Sequence, residues 1–71
     1  LAPVLKKDIF AAVKRIAVEY GTTIVLVEQD VMNSLAISDR AYVMEQGQIV
    51  IEGTAQELLK DPHIKEAYLG V

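Results

Sequence analysis

The sequence predicts an α/β fold, and three stretches of it carry that expectation. Apolar residues recur at helical spacing over residues 5–20, an almost unbroken β-branched run fills residues 22–28, and two short strand-like segments flank Gln46-Gly47. A chain of 71 residues with 52% hydrophobic residues is one small domain or part of one, and its composition argues firmly against disorder.

The first element is an amphipathic helix. Leu5, Ile9, Phe10, Val13, Ile16, Ala17 and Tyr20 share its apolar side, while Lys6, Lys7, Asp8, Lys14, Arg15 and Glu19 occupy the rest of the wheel. Pro3 stands at its start, where a missing amide donor is harmless, and Gly21 supplies a natural C-terminal cap.

Residues 22–28 (TTIVLVE) read as a strand, because Thr, Ile and Val suit a pleated backbone. Ile24, Val25, Leu26 and Val27 do not alternate with polar residues, so the strand is expected to be covered on both faces, as parallel strands inside α/β sheets are. Asp30 then caps a short helix running from Val31 to about Ile37.

Residues 40–45 and 48–52 form the two strands of a hairpin whose turn uses Gly47 for its positive φ. The second strand, QIVIEG, alternates poorly and is expected to be largely buried. Thr54 and Glu57 make a capping box for a helix ending near Lys60, and Asp61-Pro62 opens another that runs to about Tyr68. There is no internal repeat and no low-complexity segment.

Composition narrows the function classes. With no cysteine there is neither a disulfide framework nor a thiolate metal site. A net charge of -3 and four aromatics, Phe10, Tyr20, Tyr42 and Tyr68, that do not interleave with cations argue against a nucleic-acid partner. The apolar stretches are far shorter than a membrane span. A strand covered on both faces needs neighbours that one hairpin does not provide, and the opening LAPV without Met fits the tail of a larger domain.

The candidate chemistry lies where the apolar run ends. Glu28, Gln29 and Asp30 stand at the carboxyl edge of a strand, where open α/β sheets bind ligands, although spacing alone favours the plainer reading of Asp30 as a helix cap. His63 is the sole histidine, has no second ligand at metal spacing, and reads as a surface residue. Lys6, Lys7, Lys14 and Arg15 read as the solvated face of the first helix. No serine has a plausible triad companion, and no glycine-rich phosphate loop is present.

Beyond these local patterns, LAP at the start, GTTIVLVEQD, SDRAYVMEQGQIVIEGTAQELLKDP and IKEAYLGV resemble the C-terminal third of ABC-transporter ATP-binding subunits. Within that family GTAQELLKDP followed by AYLG points to the subunits that power branched-chain amino acid importers. The resemblance implies that residues 1–71 are the C-terminal part of one P-loop NTPase-type nucleotide-binding domain. Its upstream phosphate loop, Gln loop, signature sequence and catalytic glutamate do not occur here.

Residue by residue, the resemblance implies that Leu1, Ala2 and Pro3 end the loop at the interface of an ATPase dimer, and that residues 4–20 are the following helix. Residues 24–28 are then a central strand, and Gln29 falls on the switch position that senses the γ-phosphate, where most of the family has histidine. An amide donates a hydrogen bond but does not move protons, so a sensing role survives the change and proton transfer does not.

Subunits that power lipopolysaccharide export share YLG but carry histidine there, so Gln29 argues against them, whereas urea and amide importers are hard to separate in this region. ATP and Mg2+ are implied for the parent protein and none for the 71 residues alone. A second ATP-binding subunit and membrane permeases are the implied partners, on the cytoplasmic side of the plasma membrane. An alternative from another class is a small non-catalytic module that lends its apolar strand to a partner's sheet. Either way the isolated piece is expected to self-associate.

Overall fold

Local capping signals set most of the element boundaries. The computed structural model describes residues 3–70, with side chains described from Leu5 onward. The long helix α1 spans Pro3–Tyr20 and stops at Gly21, whose φ of 62° is the left-handed conformation that a C-terminal cap requires. Helix α2 covers Val31–Ile37, with Asp30 accepting the Asn33 backbone N–H as its N-cap.

Strands β1 (Arg40–Glu45) and β2 (Gln48–Thr54) form an antiparallel hairpin. Gln46 and Gly47 both have positive φ, 52° and 77°, as the tight turn matching the right-handed strand twist demands. The ladder pairs Val43 with Ile51 and then Met44 with Ile49, so Val50 is left as a bulge. That extra residue explains why QIVIEG does not alternate.

Helix α3 (Ala55–Lys60) begins with the complete capping box, in which Thr54 accepts from the Glu57 N–H while Glu57 accepts from the Thr54 N–H. Asp61 accepts from the backbone of His63 and Ile64 to start α4 (Pro62–Ile64), which widens into a π-helical turn over Lys65–Leu69 and closes at Gly70 with a φ of 70°.

The core lies between α2, the hairpin and the C-terminal helices. Leu35, Ala55, Leu58 and Ile64 are buried together, with Val43, Ile51 and Leu69 packed around them. Gly53 packs closely at this junction: a Cβ there would stand 3.1 Å from Leu58 Cδ1 and 3.2 Å from Glu57 Oε1, so those side chains would have to give by a few tenths of an ångström. The Ala55 N–H reaches back to the Asp39 carbonyl at 3.0 Å and ties α3 to the base of the hairpin.

Three expectations need correction. Residues 22–28 form no sheet ladder, and the two-stranded hairpin is the only sheet among the described residues. A strand exists only through hydrogen bonds to a neighbour, and none is present beside this run. Nor is the run buried, for Val25 is 88% and Val27 93% exposed.

Strand β2 is likewise mostly exposed rather than largely buried, since only one face of the hairpin has a helix against it. In α1 the covered stripe is Phe10 with the half-buried Val13 and Ala17, and the rest of the expected apolar face, Leu5, Ile9, Ile16 and Tyr20, is exposed.

Candidate functional site

The sequence-predicted switch lies at the junction between the exposed run and α2. Glu28 folds its carboxylate back over the chain, so that Oε1 accepts from the Gln29 N–H at 3.0 Å and the Asp30 N–H at 3.2 Å. Asp30 then satisfies the start of α2, with Oδ1 accepting from the Asn33 N–H at 3.1 Å and Oδ2 from the Asn33 side-chain amide at 2.8 Å. The two carboxylates therefore serve different donors and do not form an acid–base pair.

Between them, Gln29 is exposed, and its side-chain amide has no hydrogen-bond partner among the described residues. Its backbone is held by the carboxylate on one side and leads into the capped helix on the other. The amide is thus presented on a fixed main chain and can donate to, or accept from, a ligand atom.

Asp30 holds its proton less readily than an ordinary carboxylate, chiefly because the Asn33 side chain and backbone N–H both donate to it, with the Lys6 ammonium adding attraction. Lys6 Nζ lies 3.6 Å from Asp30 Oδ2. Helical spacing predicts Lys6 on the solvated face, whereas the structure half-buries it on the covered side of α1.

Leu1 and Ala2, the residues matched to a dimer interface, lie outside the described residues, and Pro3 is the first residue of α1. Beside the 22–29 segment an open trough of about 1250 Å³ runs between Val13 and Ala17 of α1, Leu35 of α2, and Ala41 and Val43 of β1. Its walls are mainly apolar side chains, the kind of surface that other elements of a sheet domain cover.

A second polar cluster joins β1 to the C-terminal helices. Glu45 Oε2, at the end of β1, accepts from the Tyr68 hydroxyl and lies 3.1 Å from His63 Nε2, while the His63 and Tyr68 rings meet edge to face at 6.2 Å. These contacts hold the Glu45 carboxyl below its usual range, the Tyr68 hydroxyl contributing first and His63 second, and they push the Tyr68 hydroxyl up. His63 remains about half exposed, as expected of a surface residue. The partners are separated by 18 and 23 residues, so no local spacing announces them.

Among the described residues no group of three or more His, Asp or Glu side chains is placed to hold a metal ion. No described helix is long and apolar enough to cross a membrane.

No family model matches the chain. Individual proteins do match it. The chain is 43% identical over 70 residues to the high-affinity branched-chain amino acid transport ATP-binding protein BraG of Pseudomonas aeruginosa, a match covering 99% of this chain and 30% of that protein.

It is 35% identical over 71 residues to the probable branched-chain amino acid transport ATP-binding protein LivF of Archaeoglobus fulgidus, covering 100% of this chain and 30% of the relative. The lipopolysaccharide export system ATP-binding protein LptB of Escherichia coli is 38% identical over 50 residues, 70% of this chain and 21% of that protein. The chain therefore spans about three-tenths of the curated relatives that match it from end to end. This similarity makes the 71 residues a homologue of the ATP-binding proteins of ABC transporters, those for branched-chain amino acids among them.

Proposed function

We propose that these residues are the C-terminal part of the ATP-hydrolysing subunit of an ABC importer for branched-chain amino acids, and that Gln29 is its γ-phosphate switch. The observation that carries this reading is the end-to-end match to branched-chain amino acid transport ATP-binding proteins. It is supported by the exposed Gln29 amide, presented on a main chain held by Glu28 and leading into the helix capped by Asp30.

In the parent subunit Leu1, Ala2 and Pro3 sit at the interface between two ATP-binding subunits, which dock on membrane permeases at the cytoplasmic face. ATP and Mg2+ are held mainly by upstream residues. Gln29 contributes one neutral donor that strengthens its hold on the γ-phosphate as charge develops there. The 71 residues alone are expected to hold no nucleotide and to hydrolyse none.

The test is made in the parent subunit assembled with its permease. Gln29→Ala is expected to lower kcat for ATP hydrolysis about 100-fold, the scale of losing one preorganised transition-state donor, while Gln29→His retains much of the rate. A Gln29→Ala subunit that hydrolyses ATP and imports labelled leucine at the wild-type rate removes the switch assignment.

One observation favours a second reading, a non-catalytic module that pairs its apolar strand with a partner's sheet: residues 22–27 form no sheet ladder, and Val25 and Val27 stand almost fully exposed. An immunoblot of source cells with an antibody to this segment separates the two. A band several times heavier than 7.8 kDa supports the ATPase subunit, and a band at 7.8 kDa supports the module. On both readings the isolated 71 residues associate through this run.

A further inference from the structure

One residue of α1 breaks the pattern of its own helix. Lys6 shares the covered stripe with Phe10, Val13 and Ala17, all of them apolar. Its side chain is 31% exposed and its ammonium lies 3.6 Å from Oδ2 of Asp30, itself 21% exposed. Broken local rules of this kind concentrate at functional or strained positions, and here the compensating partner is visible.

That partner adjoins the switch. Asp30 follows Gln29 directly and is already committed to Asn33 as the cap of α2, so the cap alone holds α2 and the Gln29 main chain to each other. It does not hold them to α1. The Lys6 ammonium supplies that second tie, one turn of helix after Pro3. Arg15, by contrast, pairs with Glu19 of its own helix and ties α1 to nothing else.

We propose that Lys6 is a positioning residue for the switch glutamine: its ion pair with Asp30 fixes the Gln29 main chain relative to the first turns of α1. The inference rests on the reading of Gln29 given above. It deepens that reading by naming the side chain through which the first turn of α1 and the switch are held in register.

The test uses the parent subunit with its permease and compares wild type, Lys6→Met, Lys6→Arg, Asp30→Asn and the Lys6→Met/Asp30→Asn double variant. Asparagine caps a helix about as well as aspartate, so Asp30→Asn removes the charge and keeps the cap. Lys6→Met and Asp30→Asn are each expected to lower kcat about three- to fivefold, the scale of one partly screened ion pair, with KM for ATP unchanged.

The double variant should be no slower than either single one, and Lys6→Arg should restore the rate. Backbone amide exchange at Gln29 and Asp30 should rise in Lys6→Met. An active wild type with a Lys6→Met variant that matches it in kcat and exchange overturns this inference alone. Strictly multiplicative losses in the double variant overturn it as well. A wild-type subunit that hydrolyses no ATP overturns the functional reading, and the inference with it.

Discussion

Two neighbouring regions of this molecule are both rich in branched apolar residues and end in opposite environments. In residues 31–70, Leu35, Leu58 and Ile64 are at most 4% exposed, while in residues 22–29 Val25 and Val27 are 88% and 93% exposed. Hydrophobicity does not separate them. What separates them is where their backbone partners lie.

A helix satisfies its own amides, and a hairpin finds its partner across a two-residue turn, so α2, the β1–β2 pair and α3 complete their hydrogen bonds locally and then pack. A single strand does neither. It depends on segments distant in sequence, and without them its side chains have no surface to meet.

The comparison is broken most strongly by opening the packed region. Leu58→Ala, which leaves a hole beside Ile64 and Leu35, is expected to destabilise residues 31–70 by about 3 kcal/mol, seen as an early loss of helical circular dichroism in urea. A midpoint unchanged from wild type would mean that this region is no more cooperative than the exposed run.

A smaller effect is expected from acid. Asp30, Glu45 and Glu57 all have carboxyls held below their usual range: Asp30 chiefly by the Asn33 amides, Glu45 by the Tyr68 hydroxyl and His63, and Glu57 by the Thr54 N–H. A carboxyl that ionises more readily when folded contributes its full stability above its unfolded value, about pH 4 to 4.5, and loses it as pH falls through the folded value. Helix content should therefore stay flat from neutrality down to that range and fall below it. The Tyr68 hydroxyl, shifted the other way by Glu45, contributes below its ordinary value near 10.0 and loses that contribution as pH rises through its raised folded value. A profile that is level into strong acid would show that the caps do not hold in solution.

The smallest effect on folding is expected in the exposed run, and it sharpens the contrast. Val25→Lys with Val27→Lys should change the unfolding free energy by about 0.5 kcal/mol or less, because neither side chain packs on the core. The same pair should abolish self-association measured by sedimentation, since charge on an unpaired strand discourages edge-to-edge pairing. Association that persists unchanged would place the contact elsewhere, for example on the exposed Leu5, Ile9 and Ile16 side of α1.

Much of the candidate site was legible in advance. The cap that Asp30 places on α2 and the identity of the family follow from short stretches of sequence, as does the exposure of His63, whereas the strand expected to lead into Glu28 and Gln29 did not form. The tie from Lys6 was not legible, because helical spacing marks a lysine as solvated unless a partner on another element draws it inward. The Glu45, His63 and Tyr68 cluster was hidden for the same reason, its members coming from β1, α4 and the π-helical turn.

The sequence alone determined the elements whose decisive contacts reach only a few residues. Asp30, Thr54 and Asp61 each cap a helix through amides two or three positions away, and Gln46-Gly47 closes its turn by local geometry. Only the tertiary structure decided that α1 covers Phe10 and leaves Leu5, Ile9 and Ile16 outside, that Val50 bulges from the ladder, and that TTIVLV stands unpaired. Each of these outcomes depends on which distant surfaces meet, and an apolar residue specifies burial without specifying its partner.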